Sequence, residues 1–140
     1  MLTDFPYQIR HEVPDIAVYQ HLRQSAGLSP KSTVAASLGL PASLFAVQIK
    51  DAEQTIAMGR VIGDGGCFFQ VVDIAVLPAF QGQGLGKRIM QEITAWLEQH
   101  VPDSGYVSLI ADGKAHQLYA QFGFAATAPA SIGMARKITR

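Results

Sequence analysis

The chain is poor in several things at once. Its 140 residues contain a single cysteine, Cys67. One thiol excludes an internal disulfide framework and any cysteine-based zinc site, and it fits a reducing compartment. Cys67 itself reads as a small, half-buried hydrophobe. Excess charge is missing too: 11 basic residues face 11 acidic ones, which argues against a partner held by bulk charge, whether nucleic acid or membrane surface. No apolar run approaches the ~18 residues of a membrane span. The opening "MLTDFPYQIR" lacks the basic start and apolar core of a secretory signal. The four histidines (11, 21, 100 and 116) lack ligand-like spacing, so no metal is expected. There is no internal repeat and no low-complexity segment. The expectation is one soluble, cytoplasmic domain over residues 1–140.

One absence is local. From Ile16 to Lys50 there is no Asp or Glu. The same stretch holds Arg23 and Lys31, together with Leu28, Leu38, Leu40, Leu44 and Phe45.

What is present reads as alternating elements. "YQIRHEV" (Tyr7–Val13) predicts a short strand, stopped by Pro14. Asp15 is an N-cap for a helix over Ile16–Ala26, ended by Gly27. Ser29-Pro30 predicts a second helix to Leu38, closed by Gly39 and Pro41. Ser43–Lys50 and Thr55–Gly63 alternate like strands, with "DAEQ" as the turn between them. "DGG" (Asp64–Gly66) is a hairpin signal, and Cys67–Leu77 is a third strand, apolar enough to sit centrally. Leu85, Ile89, Ile93, Trp96 and Leu97 mark one face of a helix from Gln83 to about His100. Gly105–Ala111 reads as a strand, Lys114–Phe122 as a short helix capped by Gly123, and Gly133–Ile138 as a last strand. That order predicts an α/β (α+β) fold, a mixed and mostly antiparallel sheet flanked by about four helices.

"QGQGLG" (Gln81–Gly86) stands between the central strand and the long helix. The first N–H groups of a helix lack intrahelical partners and carry the positive end of its dipole. Glycines at 82, 84 and 86 let a phosphate approach them, and Lys87 and Arg88 add charge at that end. A tight turn without ligand remains the alternative. No G-K-[ST] follows, so this is not a P-loop, and G-x-G-x-G is not the dinucleotide fingerprint.

The segment resembles the [RQ]-x-x-G-x-[GA] pyrophosphate loop of the GNAT N-acetyltransferases. "DIAVLPAFQGQGLGKRIM" looks like the strand–loop–helix core of that superfamily, and "ADGKAHQLYAQFGF" (Ala111–Phe124) resembles its second signature. "VVDIAVLPAFQGQGLG", "SLIADGKAHQLYAQFGF" and "IGM" look like the branch that includes plant serotonin N-acetyltransferases. The resemblance implies acetyl-CoA as co-substrate. It implies that backbone of Ile74, Ala75 and Val76 pairs with the pantetheine arm. Backbone N–H groups of Gln81, Gly82, Gln83, Gly84, Leu85, Gly86 and Lys87 would hold the pyrophosphate, with Ala115, Leu118 and Tyr119 beside the cofactor. Tyr119 would be the general acid. Asp112 stands where the family carries Asn.

The chemistry is attack of an amine on a thioester. A lysine-like amine is neutral only ~0.04% of the time at pH 7, so a base or a water chain helps. Asp73, an acid inside an apolar strand, is the leading base candidate, with a structural carboxylate as the equal alternative. Asp112 comes second and His116 third. Strand parity puts Gln70, Val72 and Ile74 on one face and Asp73 on the other. In GNAT folds the early helices cover the acceptor. The acid-free stretch therefore argues against polyamines and basic tails. It favours a small amine with an apolar or aromatic body, or an amino acid whose carboxylate meets Arg23 or Lys31. The substrate-binding candidates are Arg23, Lys31, Phe45, Gln70 and Val72. A non-catalytic acetyl-CoA sensor and a protein N-acetyltransferase are the other readings. A homodimer is left open.

Overall fold

The computed structural model describes residues 5–140. The chain forms two compact units, Met1–Leu109 and Ile110–Arg140.

The larger unit is built on a five-stranded sheet in the order β1-β2-β3-β4-β5. The strands are β1 (Gln8–Arg10), β2 (Phe45–Asp51), β3 (Gln54–Gly63), β4 (Phe68–Val76) and β5 (Tyr106–Ser108). The first four pair antiparallel and β5 pairs parallel to β4, so the sheet is mixed and mostly antiparallel, as expected. The β3–β4 hairpin turns on the predicted Asp64. Its carboxylate accepts the N–H groups of Gly66, Cys67 and Phe68 at 2.9, 2.9 and 3.1 Å, and these bonds hold its pKa below the usual carboxylate value.

Helix α3 (Leu85–His100) packs Leu85, Ile89, Met90 and Ile93, all buried, against β2, β3 and β4. Helix α1 (Ile16–Ser25) lies against β3 and β4. Its residues Tyr19 and Leu22 are buried. Helix α2 (Thr33–Gly39) starts three residues later than the sequence suggested. Ser32, not Ser29, is its cap, and its hydroxyl accepts the Ala35 N–H at 3.0 Å.

Gly59 marks the closest approach of sheet and helix. A methyl group there would sit 2.7 Å from Ile89 Cγ2 and 2.8 Å from Ile74 Cδ1. Any side chain there would force Ile89, Ile74 and Ile93 to shift.

Cys67 is exposed rather than half-buried, because it occupies the hairpin tip. Strand β5 is shorter than Gly105–Ala111, since its ladder to β4 ends at Gln70↔Ser108.

The smaller unit contains α4 (His116–Ala120), shorter at both ends than the sequence suggested. The strand expected over Gly133–Ile138 does not form. Ile132, Met134 and Ile138 are exposed. A strand needs a ladder partner to be stable, and no described strand pairs with this segment. No helix among the described residues is long and apolar enough to cross a membrane.

Candidate active site

Among the described strands, none pairs with one edge of β4 beyond Gln70. Its partner β5 pairs only as far as Gln70, while β4 runs on to Val76. The Leu77 N–H donates to the Ile56 carbonyl of β3 at 2.9 Å. Successive backbone N–H groups of a strand point to opposite edges, so the Val76 N–H faces the open side. By the same alternation the Ala75 N–H faces β3. An added strand would therefore bond to Val76 and not to Ala75.

Directly after this edge the chain forms the glycine loop. Gly82 and Gly84 adopt φ of 83° and 82°, and Gln83 between them does not. Added methyl groups at either glycine would meet nothing within 4 Å. These glycines are there for backbone conformation, not for lack of space. Alternation of hand along a short segment turns successive N–H groups toward one point, the geometry of an anion nest. Gly84 caps α3 with no side-chain hydrogen bond, and the first turn of α3 contains no acid. The loop is exposed from Gln81 to Gly84. Two side chains brace it: Gln81 Nε2 donates to the Val76 carbonyl at 3.1 Å, and Tyr7 Oη donates to Gln83 Oε1 at 2.9 Å. Arg88 bonds Glu92 at 3.2 Å, and Glu92 also takes His11 Nε2 at 2.7 Å. Lys87 has no ion-pair partner among the described residues.

Asp73 is not placed as alternation predicts. Between the pairs Arg60↔Val72 and Met58↔Ala75 one residue of β3, Gly59, faces two of β4, Asp73 and Ile74. This is a β-bulge. Asp73 takes φ of 62° there, a conformation Asp tolerates better than most residues. The bulge corrects the expected parity. Phe69 packs edge-on to Trp96 of α3, so Val72 points to the opposite, α1 face. Asp73 joins it on that face, where its partners come from α1. Ile74 turns instead toward α3.

On the α1 face Asp73 is clamped. One carboxylate oxygen accepts from Arg23 Nη1. The other accepts from Arg60 Nε at 2.8 Å and from Tyr19 Oη at 3.0 Å. Burial first, then the Asp73 carboxylate, raises the Tyr19 phenol above its usual value. With both oxygens engaged, Asp73 has the surroundings of a structural carboxylate.

The substrate candidates are scattered. Arg23 is buried and donates also to the Ser29 carbonyl at 2.8 Å and Ser29 Oγ at 3.1 Å. Lys31 is exposed. Phe45 stacks on Trp96 with centroids 5.5 Å apart, and that ring is part of the α3 packing. Gln70 and Val72 are half-buried on the α1 face of β4.

In the smaller unit Tyr119 and Leu118 are half-buried on α4, and Ala115 stands at its N-cap. Asp112 is exposed. Burial, and secondarily the Asp112 carboxylate, pushes the Tyr119 phenol above its ordinary value of 10.0. His116 Nδ1 lies 3.1 Å from the Gly113 carbonyl, a local helix-start contact.

Residues 41–126 match the family model of the acetyltransferase (GNAT) domain. The chain belongs to the GNAT acetyltransferase family. A protein of unknown function from meticillin-resistant Staphylococcus aureus, termed a probable acetyltransferase, superposes with a TM-score of 0.90 at 48% identity, over 94% of this chain and 99% of that one. The histone acetyltransferase TAP1 of Glycine max is 29% identical over 113 residues, 81% of this chain and 48% of its own length. The chloroplastic GCN5-related N-acetyltransferase 2 of Arabidopsis thaliana is 34% identical over 59% of this chain and 31% of its own. The chain thus spans half or less of these curated relatives.

The GNAT signatures point to the open edge and the loop, but not to the residues that brace them. No motif marks Tyr7, Tyr19 or Arg60 for these contacts. For Arg60 a signal existed: "TIAMGRVIG" and "CFFQVVDIAVL" each carry one charge in an apolar strand of the same hairpin. Buried opposite charges on paired strands are expected to meet.

Proposed function

We propose that this GNAT protein is an enzyme that moves the acetyl group of acetyl-CoA to the primary amine of a small molecule, an arylalkylamine-like amine or an amino acid. The observation that carries the donor half is the continuity of the open β4 edge at Val76 with the alternating-hand loop Gln81–Gly86 at the mouth of α3. The edge suits an extended amide-bearing arm, and the loop suits a pyrophosphate. Lys87, with no ion-pair partner among the described residues, adds a positive charge. The family match runs through both units, from residue 41 to 126, which supports treating residues 1–140 as one catalytic domain.

Acetyl-CoA supplies a thioester acyl group. The amine nitrogen forms a bond to the carbonyl carbon, the carbon–sulfur bond breaks, and the leaving thiolate takes a proton. Tyr119 is the donor: its raised pKa keeps the phenol protonated at neutral pH. In this reading the N–H of Val76, on the unpaired edge of β4, stabilises the developing oxyanion. Asp73 holds the β4 bulge and does not act as the base, because its oxygens are already taken. Asp112, exposed and close enough to Tyr119 to raise its pKa, is the carboxylate left to accept the amine proton, directly or through water.

A protein acceptor is the second reading, favoured by the histone acetyltransferase among the relatives. The acid-free stretch from Ile16 to Lys50 weighs against a basic tail. The test is CoA release from acetyl-CoA with amines, amino acids and lysine-containing peptides, alongside calorimetry of acetyl-CoA binding. Turnover on one small-molecule class supports the reading. Turnover on peptides alone moves it to a protein acetyltransferase, and tight binding without any turnover moves it to a cofactor sensor.

A further inference from the structure

The clamp around Asp73 holds more positive than negative charge. Arg23 and Arg60 share the one carboxylate, and the three side chains are only 10, 9 and 4% exposed. Tyr19 adds no second negative charge, since its raised pKa keeps it neutral. The remaining bonds go to uncharged acceptors: the Ser29 carbonyl and hydroxyl, the Gly39 carbonyl and Ser43 Oγ. No Asp or Glu occurs from Ile16 to Lys50, which includes all of α1 and α2 and β2 up to Lys50. Among the described residues one guanidinium charge is therefore uncompensated, in a place largely withdrawn from water, an arrangement that costs free energy without a counter-ion.

The two arginines differ in spare capacity. Every side-chain nitrogen of Arg23 has a partner. Arg60 donates through Nε to Asp73 and through Nη1 to Gly39 and Ser43, while its Nη2 has no partner among the described residues. Nor is Nη2 sealed from solvent: Thr94 Oγ1 is the one sealed and unpaired side-chain polar atom among the described residues. A buried cation thus presents free donors on the α1 face of the sheet. Its register partner is Val72. Asp73, the centre of the clamp, precedes Val76 by three residues on β4, about 10 Å of strand. A small bifunctional molecule and the Arg60 side chain together span that separation.

We propose that the acceptor carries an anionic group beside its amine, the carboxylate of an amino acid, and that Arg60 Nη2 binds it. The assignment rests on the acetyltransferase reading and narrows it. It also replaces Arg23 and Lys31 as carboxylate partners, the first because it is saturated and the second because it is exposed.

Matched acceptors test this in the wild-type protein: L-phenylalanine against phenethylamine, L-tryptophan against tryptamine, and O-phosphoethanolamine against ethanolamine. The carboxylated member is expected to show kcat/KM about tenfold to a hundredfold higher, the worth of one charge-assisted hydrogen bond. The ratio should fall toward parity in Arg60→Gln and recover in part in Arg60→Lys, which also serves where the Gln variant does not fold. A gain confined to the phosphate pair assigns the same anion site to phosphorylated amines and overturns the carboxylate assignment. Decarboxylated amines that serve as well or better overturn the proposal. Binding is read apart from turnover, as the rise in unfolding temperature with N-acetyl-L-phenylalanine against N-acetylphenethylamine. A rise with the carboxylated ligand alone supports the proposal even if no acceptor is turned over, and no carboxylate-dependent rise overturns it. Failure to bind acetyl-CoA in calorimetry would instead bring down the acetyltransferase reading.

Discussion

Replacing Asp73 by Asn isolates the charge of the clamp from its geometry. Asn tolerates positive φ as Asp does, so the bulge conformation at 62° costs nothing new. Its amide oxygen can keep one acceptor role, but the amide NH2 in the second position faces arginine donors. Two guanidiniums that are 10 and 9% exposed then lose their counter-charge. Removing one partner of a buried ion pair costs about 3–5 kcal/mol, a large part of the ~5–15 kcal/mol that holds a domain folded. For a chain of 140 residues this corresponds to a fall of roughly 10–15 °C in unfolding temperature. Asp73→Ala should be worse, because it adds strain at positive φ, and Asp73→Gly should lie between the two. The assay is thermal and urea unfolding followed by circular dichroism. An Asn variant within about 1 kcal/mol of wild type would refute the reasoning, and would mean that water or alternative acceptors already satisfy both arginines.

Tyr119→Phe should lower kcat by about 10²–10⁴ with little change in acetyl-CoA affinity, measured by steady-state kinetics and calorimetry. Because burial and Asp112 raise the phenol pKa above 10.0, the acid stays protonated to that pH, so the alkaline limb of kcat should lie above it. Asp112→Asn removes the like charge and should move that limb to lower pH. Gly84→Ala forces a side chain into φ of 82° without any clash. It should cost about 1–2 kcal/mol of stability and weaken acetyl-CoA binding, read in one titration. Asp64→Ala should lower the unfolding temperature at neutral pH. The folded pKa lies below the unfolded 3.8, so the wild-type advantage is present above that value and lost as pH falls through the folded pKa.

Some of the molecule was legible because its signals are local. Helix α3 showed through the spacing of Leu85, Ile89 and Ile93, and the β3–β4 hairpin through Asp64-Gly-Gly. Gly82 and Gly84 answer to backbone conformation, which a six-letter motif encodes directly. The helix start at Ser32 was misplaced because Ser29-Pro30 offers the same local pattern, and only the side-chain bond to Ala35 chooses between them. The strand expected over Gly133–Ile138 failed for a different reason: strand propensity is local, but a ladder needs a partner.

Sequence alone determined the family, the phosphate-suited loop and the order of strands and helices as far as α4, since each rests on neighbours within one turn or one strand. Tertiary structure decided the surroundings of Asp73. Its face, its left-handed backbone and its three partners depend on one residue of β3 facing two of β4, and on Tyr19 and Arg23, which lie 54 and 50 residues away in sequence. Alternation along β4 predicts the opposite face, and no local rule shows where the register slips. The net charge of the clamp is likewise a property of three chain segments brought together, which no single segment carries.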